Sequence, residues 1–478
     1  MENPFYKDYT TKFEIPPFGE IDESHYMPAF IKGMEEHNAE IKLIIENSDK
    51  PSFENVIIAM ERSGSLLDKV SSVFFNLSGS TTNPKIQEIE KDISPKLSEH
   101  FDSISLNPDI FQKVKILWED IDNLDLSKEE KKILEESYKR FVRNGALLEG
   151  SKKERYAEIN QEVTKLSVQF SQNLLAETND FEIILEEGDL AGLPDDIINL
   201  AQQEAENKFK KTEDDKYKGK FVFTPQRRSM YPFLTYSTRR DLREKLYNGY
   251  ILRGDNNNEY DNKDITSKIA SLRVEKANIL GFDTHAHYVL DNTMAKTPEA
   301  VYGLLNQLWT PALNRAKNEL KEMQDLVEEE GQNFKIASWD WWHYSEKVRK
   351  EKYDLDEEEI KNYFTLDNTI DGIFKTANKL FGLTFEEKFD IDLYHPDARV
   401  WEVKDKDGSH IGIYIGDYYT RSSKRGGAWM SSFKDQSNFD GKERPVIVNV
   451  CNFPPPSKSK PSLLSFEHVT TLFHEFGH

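Results

Sequence analysis

The segment His474-Glu-Phe-Gly-His478 places two histidines four residues apart with a glutamate directly after the first, an H-E-x-x-H spacing. Four residues is about one helical turn, so both imidazoles share a face and can reach one tetrahedral zinc ion. Glu475, between them, suits a general base acting on the water that such a metal activates. His474 and His478 are the candidate metal ligands, with one Zn2+ expected per chain. A site of this kind needs a third protein ligand, which would have to lie beyond residue 478. The plain alternative is a pair of solvated histidines at helical spacing.

The helix carrying the motif argues against that alternative. Ser465 can cap it, with Pro461 shortly before. At about 100° per residue, Phe466, Val469, Leu472, Phe473 and Phe476 form one apolar stripe, with His474, His478, Glu467 and Thr471 roughly opposite. Such a stripe docks the helix and leaves the imidazoles facing outward. His468 lies on a different face and reads as a helix-surface or packing residue. Ahead of the helix runs the strand pattern Pro445-Val-Ile-Val-Asn-Val450, closed by Pro454-Pro-Pro456. Either Val446–Val450 or Gly426-Gly-Ala-Trp-Met430 could hold an extended peptide by main-chain pairing. Gly426, Gly427, Ala428 and Trp429 are therefore candidate substrate contacts, and a simple glycine turn is the competing reading.

Other chemistry-bearing residues read as structural. Cys451 sits in an apolar strand without a neighbouring base. His285 and His287 diverge on a helix and suit packing beside Phe282 and Tyr288. The cluster Trp339-Asp-Trp-Trp-His-Tyr344 reads as core, and the acidic run from Asp354 to Glu359 as a helix start.

The elements that must position the motif are mostly helical. Apolar residues recur at three and four spacings from about Ile21 to Leu185, as in Phe53-Val56-Ile57-Met60 and Ile159-Val163-Leu166-Phe170. Turn clusters at Ser78–Pro84 and Leu106–Asp109 separate these helices. A short strand is expected within Lys218–Pro225. Helical pattern resumes from Arg239 to about Met323, broken at Gly281–Asp283, and again from Lys347 to Tyr363. Near residue 396 the period becomes two: Val400–Val403, a turn at Asp405–Gly408, then Ile411–Gly416 predict a hairpin. The expected organisation is an extended arm over 1–22, a helical domain over 23–225 and a catalytic domain over 226–478.

Composition narrows the function. The 478 residues are 37% hydrophobic, 31% charged and 12% aromatic, a globular balance. A net charge of -22 and an isoelectric point of about 5.1 disfavour nucleic-acid or anionic-membrane partners. With Cys451 alone, no intrachain disulfide can form. Neither a secretory signal nor a long apolar span is present, so a cytoplasmic protein is expected. A monomer is the default.

Three stretches carry a family likeness. They are Lys424-Arg-Gly-Gly-Ala-Trp-Met430, Asn449-Val-Cys-Asn-Phe-Pro-Pro-Pro456, and Leu463-Leu-Ser-Phe-Glu-His-Val-Thr-Thr-Leu-Phe-His-Glu-Phe-Gly-His478. Together they resemble the thimet-oligopeptidase family of zinc metallopeptidases. Asn3-Pro-Phe5, Pro16-Pro-Phe18, the run from Trp339 to Arg349 and Lys352–Asp356 resemble its bacterial peptidyl-dipeptidase branch. The resemblance implies a mainly α, two-lobed zincin-like body with a small β-sheet next to the zinc helix. It implies short unstructured peptides as substrates, cut either as dipeptides from a free carboxyl end or internally. It also implies a glutamate third ligand from a following helix, so that this chain would be a carboxyl-terminally truncated family member, inactive alone. A non-catalytic helical peptide-binding protein is the rival from another class.

Overall fold

The computed structural model describes residues 2–354, 357–456 and 460–478. Helices dominate, and the turn clusters between them become caps. Asn83 accepts from the N–H groups of Lys85 and Ile86, and Asn107 from those of Asp109 and Ile110. Pro84 and Pro108 follow at the first helical positions, where a missing N–H costs nothing. Asp22 and His25 form a reciprocal cap on helix Glu23–Glu46.

The chain forms two compact units, each drawn from separated stretches of sequence: Met1–Ser78, Thr82–Gln172 and Lys263–Gly303 in one, Gly79–Thr81, Asn173–Asn262 and Leu304–His478 in the other. The first unit is helical. Its core gathers Ile41, Ile44, Val56, Ile110, Val114, Leu134 and Phe141 from helices Glu23–Glu46, Phe53–Ile58, Pro108–Glu119 and Lys128–Arg143. The expected helix at Phe53 begins as a π-turn, Phe53–Ile58. Ahead of the first long helix lie two short 3-10 turns, and Phe5 is buried with its ring 5.6 Å from that of Tyr26.

In the second unit, β1 (Ile183–Leu185) pairs antiparallel with β2 (Phe221–Phe223), the strand expected within Lys218–Pro225. Around them pack Met230, Phe233, Leu234 and Leu246, with Trp342 against the same cluster. Beneath it Asp340, fully buried, accepts from Arg240 Nη2 at 2.8 Å, Arg243 Nη2 at 2.9 Å and the Ala337 N–H at 3.0 Å. Within the tryptophan-rich cluster Asp340, His343 and Tyr344 are buried, Trp339 and Trp342 half-buried and Trp341 exposed, so the cluster straddles core and surface around a buried ion pair.

The helical stretch after Arg239 is more broken than its periodicity predicts: Arg240–Ile251, Lys263–Ile279, His285–Leu290 and Pro298–Glu329. Interruptions near Gly254 and Lys296, both at positive φ, escape a reading that weighs only apolar spacing. The expected helix from Lys347 to Tyr363 divides into Trp341–Tyr353, Glu357–Ile360 and a 3-10 turn, Lys361–Tyr363. Leu355 and Asp356, within the acidic run and the Lys352–Asp356 stretch, lie outside the described residues.

The second sheet has five strands: β3 (Thr384–Glu387), β4 (Arg399–Lys404), β5 (His410–Tyr419), β6 (Trp429–Lys434) and β7 (Val446–Phe453), in spatial order β3-β4-β5-β7-β6. β4 and β5 form the expected hairpin, with Trp401 opposite Tyr414. β7 runs parallel to β5 and antiparallel to β6. Helix Leu366–Phe381 and the terminal helix, Phe466–Gly477, pack on the sheet. Ile370, Ile373, Trp401, Tyr414, Tyr418, Cys451, Leu464 and Leu472 close a shared core.

Candidate metal and peptide site

The terminal helix starts where expected, with Ser465 Oγ accepting from the His468 N–H at 3.1 Å. Its buried side is rotated from the predicted stripe. Val469, Leu472 and Glu475 are buried, whereas Phe466 is 62% and Phe473 39% exposed. The helix docks through an arc running from Phe476 past Leu472 to Glu475, and the two outlying phenylalanines fall off its edge. Phe476 is held by aromatic contacts: its ring lies 5.4 Å from Tyr414, edge-on, and 5.8 Å from Phe385, which stacks on Phe374 at 4.0 Å. Fixing Phe476 fixes the rotation of the residues on either side.

His474 and His478 are exposed on the opposite face, with Nε2 atoms 3.1 Å apart and rings at 89°. Two Zn–N bonds of about 2.0–2.1 Å at a tetrahedral angle hold their nitrogens about 3.3–3.4 Å apart. The imidazole pair thus fits zinc in donor type and spacing. Glu475 is 8% exposed, and its carboxylate makes no hydrogen bond to another described residue. Its backbone carbonyl accepts from Asn449 Nδ2 of β7 at 2.8 Å, tying the last turn of the helix to the sheet. Among the described residues no group of three or more His, Cys, Asp and Glu side chains is disposed to hold a metal.

The sheet sorts the two candidate peptide-pairing strands. Val446–Val450 lies in β7, paired on both sides by β5 and β6, and has no free edge; that candidate is corrected. β6, beginning at Trp429, is the edge strand. Gly426 and Gly427 form the exposed turn leading into it. Gly427 has φ +100°, and nothing lies within 4 Å of where a side chain would begin at either glycine. Asn452 Nδ2 fastens this turn from β7, donating to the carbonyls of Arg425 at 3.0 Å and Gly427 at 2.7 Å. The Arg425 guanidinium sits 4.3 Å from the Trp429 ring. The glycine pair is a turn that leads into an edge strand.

Sequence reasoning missed the anchor of this turn. Lys424 is buried and donates to Asp417 Oδ1 at 2.8 Å and to the carbonyls of Asp417, Tyr419 and Cys451 at 3.0, 2.7 and 2.9 Å. Burial pulls its ammonium down to about 8. Burial alone would raise Asp417, but the Arg421 hydrogen bonds and the Lys424 charge outweigh it and hold the carboxylate below its ordinary range. A lysine between serines and an arginine gives no hint of burial; only its place just ahead of Gly426-Gly427 could have drawn notice. Of the surface and packing roles that its helical position allows, His468 takes the packing one. It is centred 5.1 Å from the Phe453 ring, and burial, helped by the Arg227 charge, pushes it down to about 4. With Pro232, Tyr236, Pro454, Pro455 and Leu463 it lines a cavity of about 130 Å³. Cys451 is buried, which raises its thiol well above the ordinary value.

The chain is thus mainly helical, and its terminal helix carries two exposed imidazoles, with a buried carboxylate between them in sequence, on a five-stranded sheet. Residues 233–478 match the sequence model of peptidase family M3, and the chain belongs to that family. Dipeptidyl carboxypeptidase of Escherichia coli (strain K12) is 38% identical over 478 residues, spanning all of this chain and 69% of the relative. Oligopeptidase A of the same organism is 30% identical over 485 residues, covering 100% of this chain and 70% of its own length. Saccharolysin of Saccharomyces cerevisiae is 28% identical over 496 residues, with 98% and 67% covered.

Proposed function

We propose that this chain is the larger part of a zinc-dependent peptidase that releases dipeptides from the free carboxyl ends of short, unstructured peptides. The observation carrying this reading is the pair of Nε2 atoms 3.1 Å apart beside a Glu475 carboxylate with no hydrogen-bond partner among the described residues. His474 and His478 would hold the metal, with the remaining protein ligand supplied from outside these 478 residues. When bound, zinc supplies Lewis acidity to a scissile carbonyl and to water. Glu475 takes the proton from the attacking water and delivers it to the departing amine nitrogen, for which a carboxylate without a competing hydrogen bond is suited. The β6 edge and the Gly426–Trp429 turn would align the peptide main chain by strand addition. The relative named a dipeptidyl carboxypeptidase supports carboxyl-end dipeptide release.

The runner-up, internal cleavage, is favoured by the relatives named oligopeptidase A. In the gene product carried to the relatives' full length, hydrolysis of a free-acid peptide should exceed that of its carboxyl-amidated twin at least about tenfold. Equal rates would assign the endo-acting reading. No turnover of either peptide by zinc-loaded enzyme would leave the helical peptide-binding alternative. A monomeric cytoplasmic protein without nucleic-acid or membrane partners completes the proposal. It is supported by the acidic charge and by the absence, among the described residues, of any helix long and apolar enough to cross a membrane.

A further inference from the structure

The first unit surrounds a cavity of about 450 Å³, within the size range of small-molecule sites. Its lining carries the carboxylates of Glu61, Asp68 and Asp102 and the cations of Arg140 and Lys276. Asp102 Oδ1 accepts from Asn160 Nδ2 at 2.8 Å, but Oδ2 is shielded from water and accepts nothing. A buried carboxylate oxygen without a donor is costly and rare. Burial pushes Asp102 up to about 6. Lys276 does not bond to it directly; its Nζ donates to Asn160 Oδ1 at 2.6 Å, so Asn160 bridges the two. Arg140, from helix Lys128–Arg143, lines the same cavity with a guanidinium that makes no hydrogen bond or ion pair to any described residue. Phe101 and Phe141 add apolar surface.

The lining thus combines three carboxylates, one of them short of a donor, with an arginine that no described residue pairs, and adds aromatic surface. A small zwitterion has the matching ends. We propose that this cavity binds a short zwitterionic peptide, its ammonium directed to the acidic lining of Glu61, Asp68 and Asp102 and its carboxylate to Arg140. The ligand belongs to the product class of the reaction proposed above, and in that respect the inference rests on that reading. The cavity would make the helical unit a sensor of accumulating dipeptide.

The test is calorimetric titration of the 478-residue chain with Ala-Ala, N-acetyl-Ala-Ala and Ala-Ala-amide. Ala-Ala should bind, and each capped peptide should bind at least about tenfold more weakly. Arg140→Gln, at an exposed position, should weaken Ala-Ala binding by about tenfold, as should Asp102→Asn, which keeps the Asn160 bond. His474→Ala should bind Ala-Ala unchanged. Absence of binding up to about 10 mM, equal affinity for capped peptides, or loss of binding in His474→Ala would each overturn the proposal. If Asp102→Asn fails to fold, Arg140→Gln and the capped peptides decide. Lack of peptidase activity in the full-length enzyme would sink the proposed function without altering this titration, so the two failures separate.

Discussion

Glu475 makes the sharpest demand on a single side chain, because its carboxylate is buried yet keeps its oxygens free of other described residues. Glu475→Gln, in the full-length gene product, should cut turnover by at least about 10²-fold while zinc content, read by atomic absorption, stays at one per chain. Retained turnover would remove it as the base. The motif itself was plain in sequence, since H-E-x-x-H needs only local spacing. Lys424 was not, because its burial depends on carbonyls contributed by β5 and β7. With Lys424 and Asp417 both fully buried, Lys424→Met should destabilise the chain by about 3–5 kcal/mol in urea unfolding. The double variant with Asp417→Asn should cost less than the two single changes summed, since the Lys424 ammonium is then not left buried opposite a neutral partner, although Arg421 still loses its carboxylate.

At the scale of elements, the hairpin of β4 and β5 was legible because alternation and an Asp-Gly turn are both local signals. The order of β6 and β7 was not. β6 precedes β7 in sequence yet lies outside it, and linear pattern cannot say which of two strands takes the edge. The rotation of the terminal helix was also hidden. Counting phenylalanines placed the stripe too far round, whereas the aromatic grip on Phe476 and the burial of Glu475 set the real face. Gly416 shows how tightly this region is fitted: a Cβ there would lie 2.2 Å from the Tyr418 ring, which is buried with its hydroxyl 3.2 Å from that of Tyr414. Gly416→Ala should therefore cost about 1–3 kcal/mol, seen as a lower denaturant midpoint with unchanged slope.

The whole molecule answers to acid through its buried histidines. His100, His343 and His468 are each held down to about 4, by burial first, then by the neighbouring His37, Arg243 and Arg227 respectively. Unfolded, they titrate near 6.5, so between about pH 6.5 and 4 the unfolded chain binds more protons and stability falls as pH falls. Asp102 acts in the opposite sense: lifted to about 6, it holds a proton in the folded state that the unfolded chain would release. These three, with His37, His285 and His395 also lowered by burial, outweigh Asp102 and the likewise raised Asp68 and predict a lower urea midpoint at about pH 5 than at about pH 7; an unchanged midpoint would refute it. That the chain leaves each unit and returns to it was invisible in sequence, because periodicity records faces and not partners. Helix content was legible; the assembly of helices was not.

Asn449 stands in β7 between Gly416 and Met430 and grips the helix carbonyl of Glu475. The imidazole pair therefore takes its height above the sheet from the strand next to the open edge. A peptide that zips onto β6 would tug on the ladder whose inner rung steadies the proposed ligands. Metal exchange rates, followed with a chromogenic chelator, would then serve as a strain gauge for edge occupancy.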